Sequence, residues 1–178
     1  MPMLVHICCA PCGSASVLRV MEAGYAPYLY YANSNIYPRE EYTKRQAYVR
    51  KLAEYFQLPL IEEPWDHESW LEQTAHLADE PEGGNRCTAC FSFSLSLTSR
   101  KARELDIPNF TTTLTISPHK SSKQIFAVGS EFEGFSSIDF KKQEGYAKSI
   151  ALSRELGFYR QSYCGCEFSL EQKKSASS

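Results

Sequence analysis

The sequence predicts an α/β domain, a parallel sheet flanked by helices, on three observations. Short β-rich runs alternate with longer stretches of helical periodicity, the pattern of parallel strands joined by crossover helices. The 178 residues hold no internal repeat and no linker, and that length suits one domain. Hydrophobic residues at 43% and charged residues at 22% allow a packed core and exclude global disorder. One domain is placed over residues 1–170, with residues 171–178 as a frayed tail; the last dozen residues, with KKSASS, are expected to loosen.

MLVHI is a short apolar run ending at Cys8 and predicts a first strand. Gly13 and Ser14 open a helix whose apolar face is Val17, Leu18 and Met21, with Gly24 as its stop. APYLYYAN predicts the second strand. Pro38 suits the first turn of a helix through REEYTKRQAYVRKLAEYF, with Tyr42, Val49, Leu52, Ala53 and Phe56 inward. LPLIEE is a third strand. Residues 62–86 are the least regular, with a short helix from Asp66 to His76, and a long helix runs from Cys87 to Leu105. NFTTTLTIS is a β-branched strand, and SPHKSSKQIFAVGSEF is loop, then helix. FKKQEGYAKSIALSRELG is an amphipathic helix with Tyr146, Ile150, Leu152 and Leu156 inward.

No apolar run approaches the ~20 residues of a membrane span, and MPMLVHICCAPC has no basic start and no long apolar stretch. A cytoplasmic, reducing setting without a membrane partner is therefore expected. The net charge is −2, from about −5 over residues 1–99 and +3 over residues 100–178. A basic second half can face a polyanion, but so weak an asymmetry fits a solvated surface better.

All seven cysteines fall into three motifs: Cys8-Cys9-Ala-Pro-Cys12, Cys87-Thr-Ala-Cys90 and Cys164-Gly-Cys166. None stands alone as a core filler, the usual fate of a single cysteine. The first motif follows a strand and precedes a helix. Parallel sheets bind ligands at the strands' carboxyl ends, and a helix N-terminus favours thiolates. Three readings stay open on the residues. A structural zinc takes four N or S ligands, but seven cysteines exceed one such site. A cubane iron–sulfur cluster takes four thiolates, which Cys8, Cys9, Cys87 and Cys90 could supply. Cys9-Ala-Pro-Cys12 also has the form of a thioredoxin redox pair. The Cys164-Gly-Cys166 element could close a strained, reducible disulfide or chelate a second metal.

Taken together, the motifs resemble the epoxyqueuosine reductase QueH family. The likeness rests on LVHICCAPC, YYANSNIYPREEYTKR, EGGNRCTACFSFSL, FTTTLTISPHK and IDFKKQEGYAKSIALSRELGFYRQSYCGC, spanning residues 4–166. It implies a cobalamin-independent iron–sulfur enzyme that reduces epoxyqueuosine to queuosine at the wobble position of a tRNA anticodon, fed by an unidentified electron donor. It also implies a [4Fe–4S] cluster on Cys8, Cys9, Cys87 and Cys90. Cys164 and Cys166 would be a catalytic redox pair or ligands to a second, mononuclear iron, which Cys12 could join. The alternatives are a thiol–disulfide oxidoreductase using Cys9 and Cys12, and a zinc-stabilised RNA-binding module. At fold level the first strand–turn–helix–strand unit resembles the PP-loop (HUP-type) nucleotide-binding fold, with CCAPCGS as a metal site in place of the phosphate loop. Its glycine spacing is missing, so no ATP binding is expected.

Tyr37 and Tyr163 are the aromatics expected to stack on a splayed anticodon base; core packing is the better reading for Tyr30, Tyr31 and Tyr159. Lys141, Lys142 and Arg160 are the preferred phosphate contacts, ahead of Lys44, Arg45, Lys120 and Arg154. His6 reads as a satisfied core histidine, His119 as a loop residue able to donate a proton, and Asp139 as a helix cap. Asn33 and Asn35 could orient substrate, and Gly83 and Gly84 should turn the backbone before Cys87.

Overall fold

The computed structural model describes residues 1–177. Four strands, β1 (Pro2–His6), β2 (Ala26–Tyr31), β3 (Leu60–Glu62) and β4 (Asn109–Thr112), form one parallel sheet in the order β3-β2-β1-β4. Side chains alternate along a strand, so β1 sends Met3, Val5 and Ile7 to one face and Leu4 and His6 to the other. The first face packs on α1 (Ala10–Glu22) and α2 (Arg39–Phe56) through Val17, Val20, Leu29, Tyr31, Val49 and Leu52. The second packs on α4 (Asn85–Glu104) and α5 (Ser122–Gly129) through Tyr30, Phe91, Leu95, Phe110, Ile125 and Val128. A short α3 (His67–Thr74) leans on α4. α6 (Gly145–Glu155) lies on α1, and α7 (Glu167–Ala176) ends the described chain. Among the described residues, no helix is long and apolar enough to cross a membrane.

Several element boundaries and inward faces differ from the expectation. α1 begins at Ala10, not Gly13, because the Cys9 sulfur caps it by accepting the Cys12 N–H at 3.4 Å. Its inward face is also different: Leu18 and Met21 are 37% and 41% exposed, while Gly13, Ser14, Ser16, Val17 and Val20 are buried. The partner helix explains this. α6 offers Gly145, Ser149 and Ser153, so small residues face small residues and the two helices approach closely. Tyr146, expected inward, is left exposed. α6 also starts five residues late, because Gln143 and Glu144 take positive φ and break the helix. The run after Asn109 is a strand only to Thr112; Thr113–Ile116 is a 3₁₀ turn. There Thr112 Oγ1 accepts the Leu114 N–H at 3.2 Å, a local bond that competes with the ladder. At the end of the chain, α7 runs to Ala176 with residues 171–177 exposed, and Ser178, the last residue of the expected tail, lies outside the described residues.

His6 is the core histidine the sequence suggests. It is fully buried, its Nδ1 is 2.9 Å from Thr112 Oγ1, and its Nε2 is 3.3 Å from the Ala32 carbonyl. Burial holds its pKa down at about 4, from an ordinary 6.5. The folded chain therefore keeps His6 neutral while the unfolded chain protonates it. Its stabilisation is present above pH ~6.5 and is lost as pH falls to about 4, a loss of about 3 kcal/mol. Urea unfolding across that window should show it, and His6→Gln should flatten that part of the slope. Equal slopes would contradict it.

Candidate functional site

The carboxyl ends of β1, β2 and β4 open into a cavity of about 820 Å³. Cys8 and Cys12 enter it from the β1–α1 turn, Cys87 and Cys90 from the first turns of α4, and Cys164 and Cys166 from the loop before α7. Residues far apart in sequence thus supply thiols to one space. All seven cysteines are free thiols. Cys9 is buried, and the sulfurs of Cys8, Cys9 and Cys12 lie within 4.8 Å of one another.

This triad shares its protons unequally. Hydrogen bonds from Cys12 and Cys8, the Cys12 N–H and Gln161 Nε2, which donates at 3.1 Å, hold the Cys9 thiol well below its ordinary value. The bond from Cys12 favours the Cys8 thiolate, but the bond to Cys9 and burial prevail and push Cys8 up to about 12. The same bonds, to Cys8 and then Cys9, raise Cys12. Of the three, Cys9 is the one whose thiolate these bonds favour. Thr113 fastens Cys8, accepting its N–H at 3.1 Å and donating to its sulfur at 3.3 Å. Burial raises Cys87 and Cys90, and it pushes Cys166 up to about 11. Lys120 also lines the cavity. Burial opposes its charge, but the negative charge that Cys164, Cys8 and Cys12 carry when ionised outweighs burial and raises the pKa of its ammonium.

The Cys164-Gly-Cys166 loop is clamped by Arg45. This side chain is only 3% exposed, pairs with Glu41 at 2.7 Å, and donates to the carbonyls of Cys164 at 2.9 Å and Tyr163 at 3.3 Å. Tyr159 donates its hydroxyl to both Glu41 oxygens at 3.1 Å. The Tyr37 N–H reaches the Gly165 carbonyl at 2.8 Å, and the Tyr163 hydroxyl bonds the Tyr37 carbonyl. Gly165 has φ +143°, and an added Cβ would lie 3.1 Å from Arg45 Nη1. Gly165→Ala is therefore expected to lower stability by about 1–3 kcal/mol and to slow turnover by displacing Cys164. Thermal unfolding and initial rates at wild-type values would refute this.

Of the substrate residues expected from sequence, Tyr163 and Arg160 line the cavity, and Arg160 also donates to Ser153 Oγ at 3.3 Å. Tyr37 is exposed next to them and stacks on His67 with centroids 5.4 Å apart. Lys141 is engaged elsewhere, donating to the carbonyls of Ser117 and Lys120 at 3.3 and 2.7 Å. Lys142 lines a separate groove between α1 and α6. Arg45, weighed as a phosphate contact, is instead the buried clamp. Asn33 and Asn35 both line the cavity, and Asn33, buried, donates to the Ile7 carbonyl at 2.8 Å. Gly83 has φ +87°, as a turn before Cys87 requires. Sequence reasoning missed Trp70, Arg86 and Gln161. Only Arg86 carried a signal, since it immediately precedes Cys87.

Fold and site together define a class: parallel α/β proteins whose first strand ends in a thiol-bearing turn at the mouth of a cavity. A structural comparison supports the fold. A predicted subunit of tRNA methyltransferase from Methanocaldococcus jannaschii superposes with a TM-score of 0.56 at 14% identity, over 86% of this chain and 75% of that one. The sequence profile described as "Epoxyqueuosine reductase QueH" matches residues 3–172. Proteins of that name are 36% identical in Streptococcus pyogenes, over 96% of this chain and 71% of the relative, and in Thermotoga maritima, over 96% and 91%. The Staphylococcus aureus relative is 34% identical over 96% of this chain and 76% of its own. The chain belongs to the epoxyqueuosine reductase QueH family. That membership does not favour the thiol–disulfide and zinc-module readings.

Proposed function

We propose that this chain reduces the epoxide of epoxyqueuosine, in the wobble nucleotide of a tRNA, to the alkene of queuosine, without cobalamin. One observation carries the reading: six cysteines and a cluster of polar and aromatic residues line one cavity of about 820 Å³, room for a flipped nucleotide beside a metal group. The donor set fits an iron–sulfur group, since thiols dominate it, Cys9 buried and the other six half-buried, with Glu82 and His119 the other ligating side chains on the cavity wall. Cys8, Cys9, Cys87 and Cys90 would hold a [4Fe–4S] cluster, which when bound supplies electrons one at a time.

The reaction consumes two electrons and two protons and releases the epoxide oxygen as water. A Cys164–Cys166 dithiol balances it, closing to a disulfide as two electrons and two protons pass to the epoxide; an external reductant then reopens it. The other assignment of the pair is as ligands, with Cys12, to a mononuclear iron. The chain's remaining residues bind and orient. Tyr163 and Tyr37 offer faces for the extruded base, Arg160 sits at the rim for a phosphate, and Lys120 Nζ holds a proton among the thiols of Cys164, Cys8 and Cys12. A tRNA bound through so few cations should dissociate readily as salt rises.

The test is an anaerobic incubation of reconstituted protein with epoxyqueuosine-containing tRNA and dithionite, followed by nucleoside mass analysis. Conversion to a nucleoside lighter by one oxygen is expected. Unchanged epoxyqueuosine with iron-loaded protein would overturn the proposal.

A further inference from the structure

Among the described residues, three buried side-chain nitrogens have no hydrogen-bond partner: Trp70 Nε1, Arg86 Nε and Arg86 Nη2. All belong to side chains that line the cysteine cavity. Buried donors in folded chains are nearly always satisfied, and a guanidinium is the most costly to leave bare. Their coincidence at one wall calls for an acceptor that arrives with a ligand.

The geometry narrows what that acceptor is. Arg86 immediately precedes Cys87 in the first turn of α4 and is 1% exposed. Its Nη1 is already spent on the carbonyls of Leu77 at 3.4 Å, Ala78 at 2.8 Å and Glu80. The Phe168 ring covers its guanidinium at 4.9 Å. The fork is therefore fixed on one side, with Nε and Nη2 left over. Its charge acts on the sulfurs of Cys87 and Cys166, and the Trp70 N–H faces that of Cys90 without closing a hydrogen bond to it. A tRNA phosphate cannot reach a guanidinium so enclosed. A compact anion held by the cysteines themselves can, and a thiolate-ligated iron–sulfur cluster is such an anion, with sulfur acceptors on every side.

We infer that Arg86, through Nε and Nη2, and Trp70, through Nε1, donate hydrogen bonds to the sulfur atoms of the metal group carried by Cys87 and Cys90 and thereby set its reduction potential. The assignment rests on the iron–sulfur reading above. N–H···S bonds and a buried cation stabilise the more negative, reduced state, so they raise the potential. Arg86 is a positioning and tuning residue, not one that touches the reacting epoxide.

Trp70→Phe keeps the ring and deletes the N–H. Arg86→Lys keeps the charge and one reach towards the Leu77, Ala78 and Glu80 carbonyls, but loses the free side of the fork. Wild type and both variants are reconstituted anaerobically, iron per chain is measured, and the midpoint is read by dithionite titration followed by electron paramagnetic resonance. Both variants should hold wild-type iron, titrate at a more negative midpoint and show an altered reduced-state signal, with the larger shift in Arg86→Lys. If Arg86→Lys fails to take up iron, Trp70→Phe decides alone. Wild-type iron with unshifted midpoints would overturn this assignment only. A wild-type chain that takes up no iron after reconstitution would overturn the iron–sulfur reading and this assignment with it.

Discussion

Cys87→Ala is expected to fold normally yet lose both iron and turnover, whereas Cys164→Ala should keep its iron and lose turnover alone. The difference follows from where the two thiols sit. Cys87 lies on a long, rigid helix, one turn from Cys90, a spacing that presents two thiolates to one metal group. A cubane deprived of Cys87 keeps Cys90 as its sole ligand from α4. Cys164 is separated from Cys166 by Gly165 alone, on a loop held by hydrogen bonds rather than by a helix. Its removal leaves the β1–α1 and α4 thiols untouched. Iron analysis and a single-turnover assay on both variants check this. Turnover retained in Cys164→Ala would remove the redox role of that pair, and iron retained at wild-type level in Cys87→Ala would remove Cys87 from the ligand set.

Arg45→Met should be the most destabilising single change near the site. It removes a buried cation that satisfies Glu41 and two loop carbonyls at once, and breaking a buried pair from one side costs about 3–5 kcal/mol. For a chain of this size that corresponds to a melting temperature lower by roughly 6–20 °C. The double variant Glu41→Gln/Arg45→Met should be milder than Arg45→Met alone, because it no longer strands a carboxylate. Thermal unfolding of the two proteins checks the order. A melting temperature for Arg45→Met within a degree of wild type would show that the clamp carries no such energy.

The sheet was legible because its strands are short apolar runs between long periodic helices, and burial on both faces leaves no polar alternation to mislead. The placement of Cys8, Cys9 and Cys12 at a strand's carboxyl end followed from that order alone. The inward faces of α1 and α6 were not legible. Periodicity selects large apolar residues, whereas these helices meet through Ser14, Gly145, Ser149 and Ser153 and leave Leu18 and Tyr146 at the flanks. The end of β4 was hidden for a different reason: a threonine run has high strand propensity, but Thr112 turns its hydroxyl on its own backbone. Arg45 read as a surface charge, since nothing local says that residues 163–165 will fold over it. Trp70 and Arg86 escaped notice for the same reason. Their meaning lies in bonds they do not make, which only the packed chain reveals.

If the convergent thiols carry an iron–sulfur group, iron and acid-labile sulfide per chain, measured with the visible spectrum on anaerobically purified or reconstituted protein, should come to about four each, with a broad absorbance bleached by dithionite, and a fifth iron should appear if Cys12, Cys164 and Cys166 hold a metal of their own. A colourless chain that stays iron-free after anaerobic reconstitution, or binds only zinc, would contradict the iron–sulfur assignment.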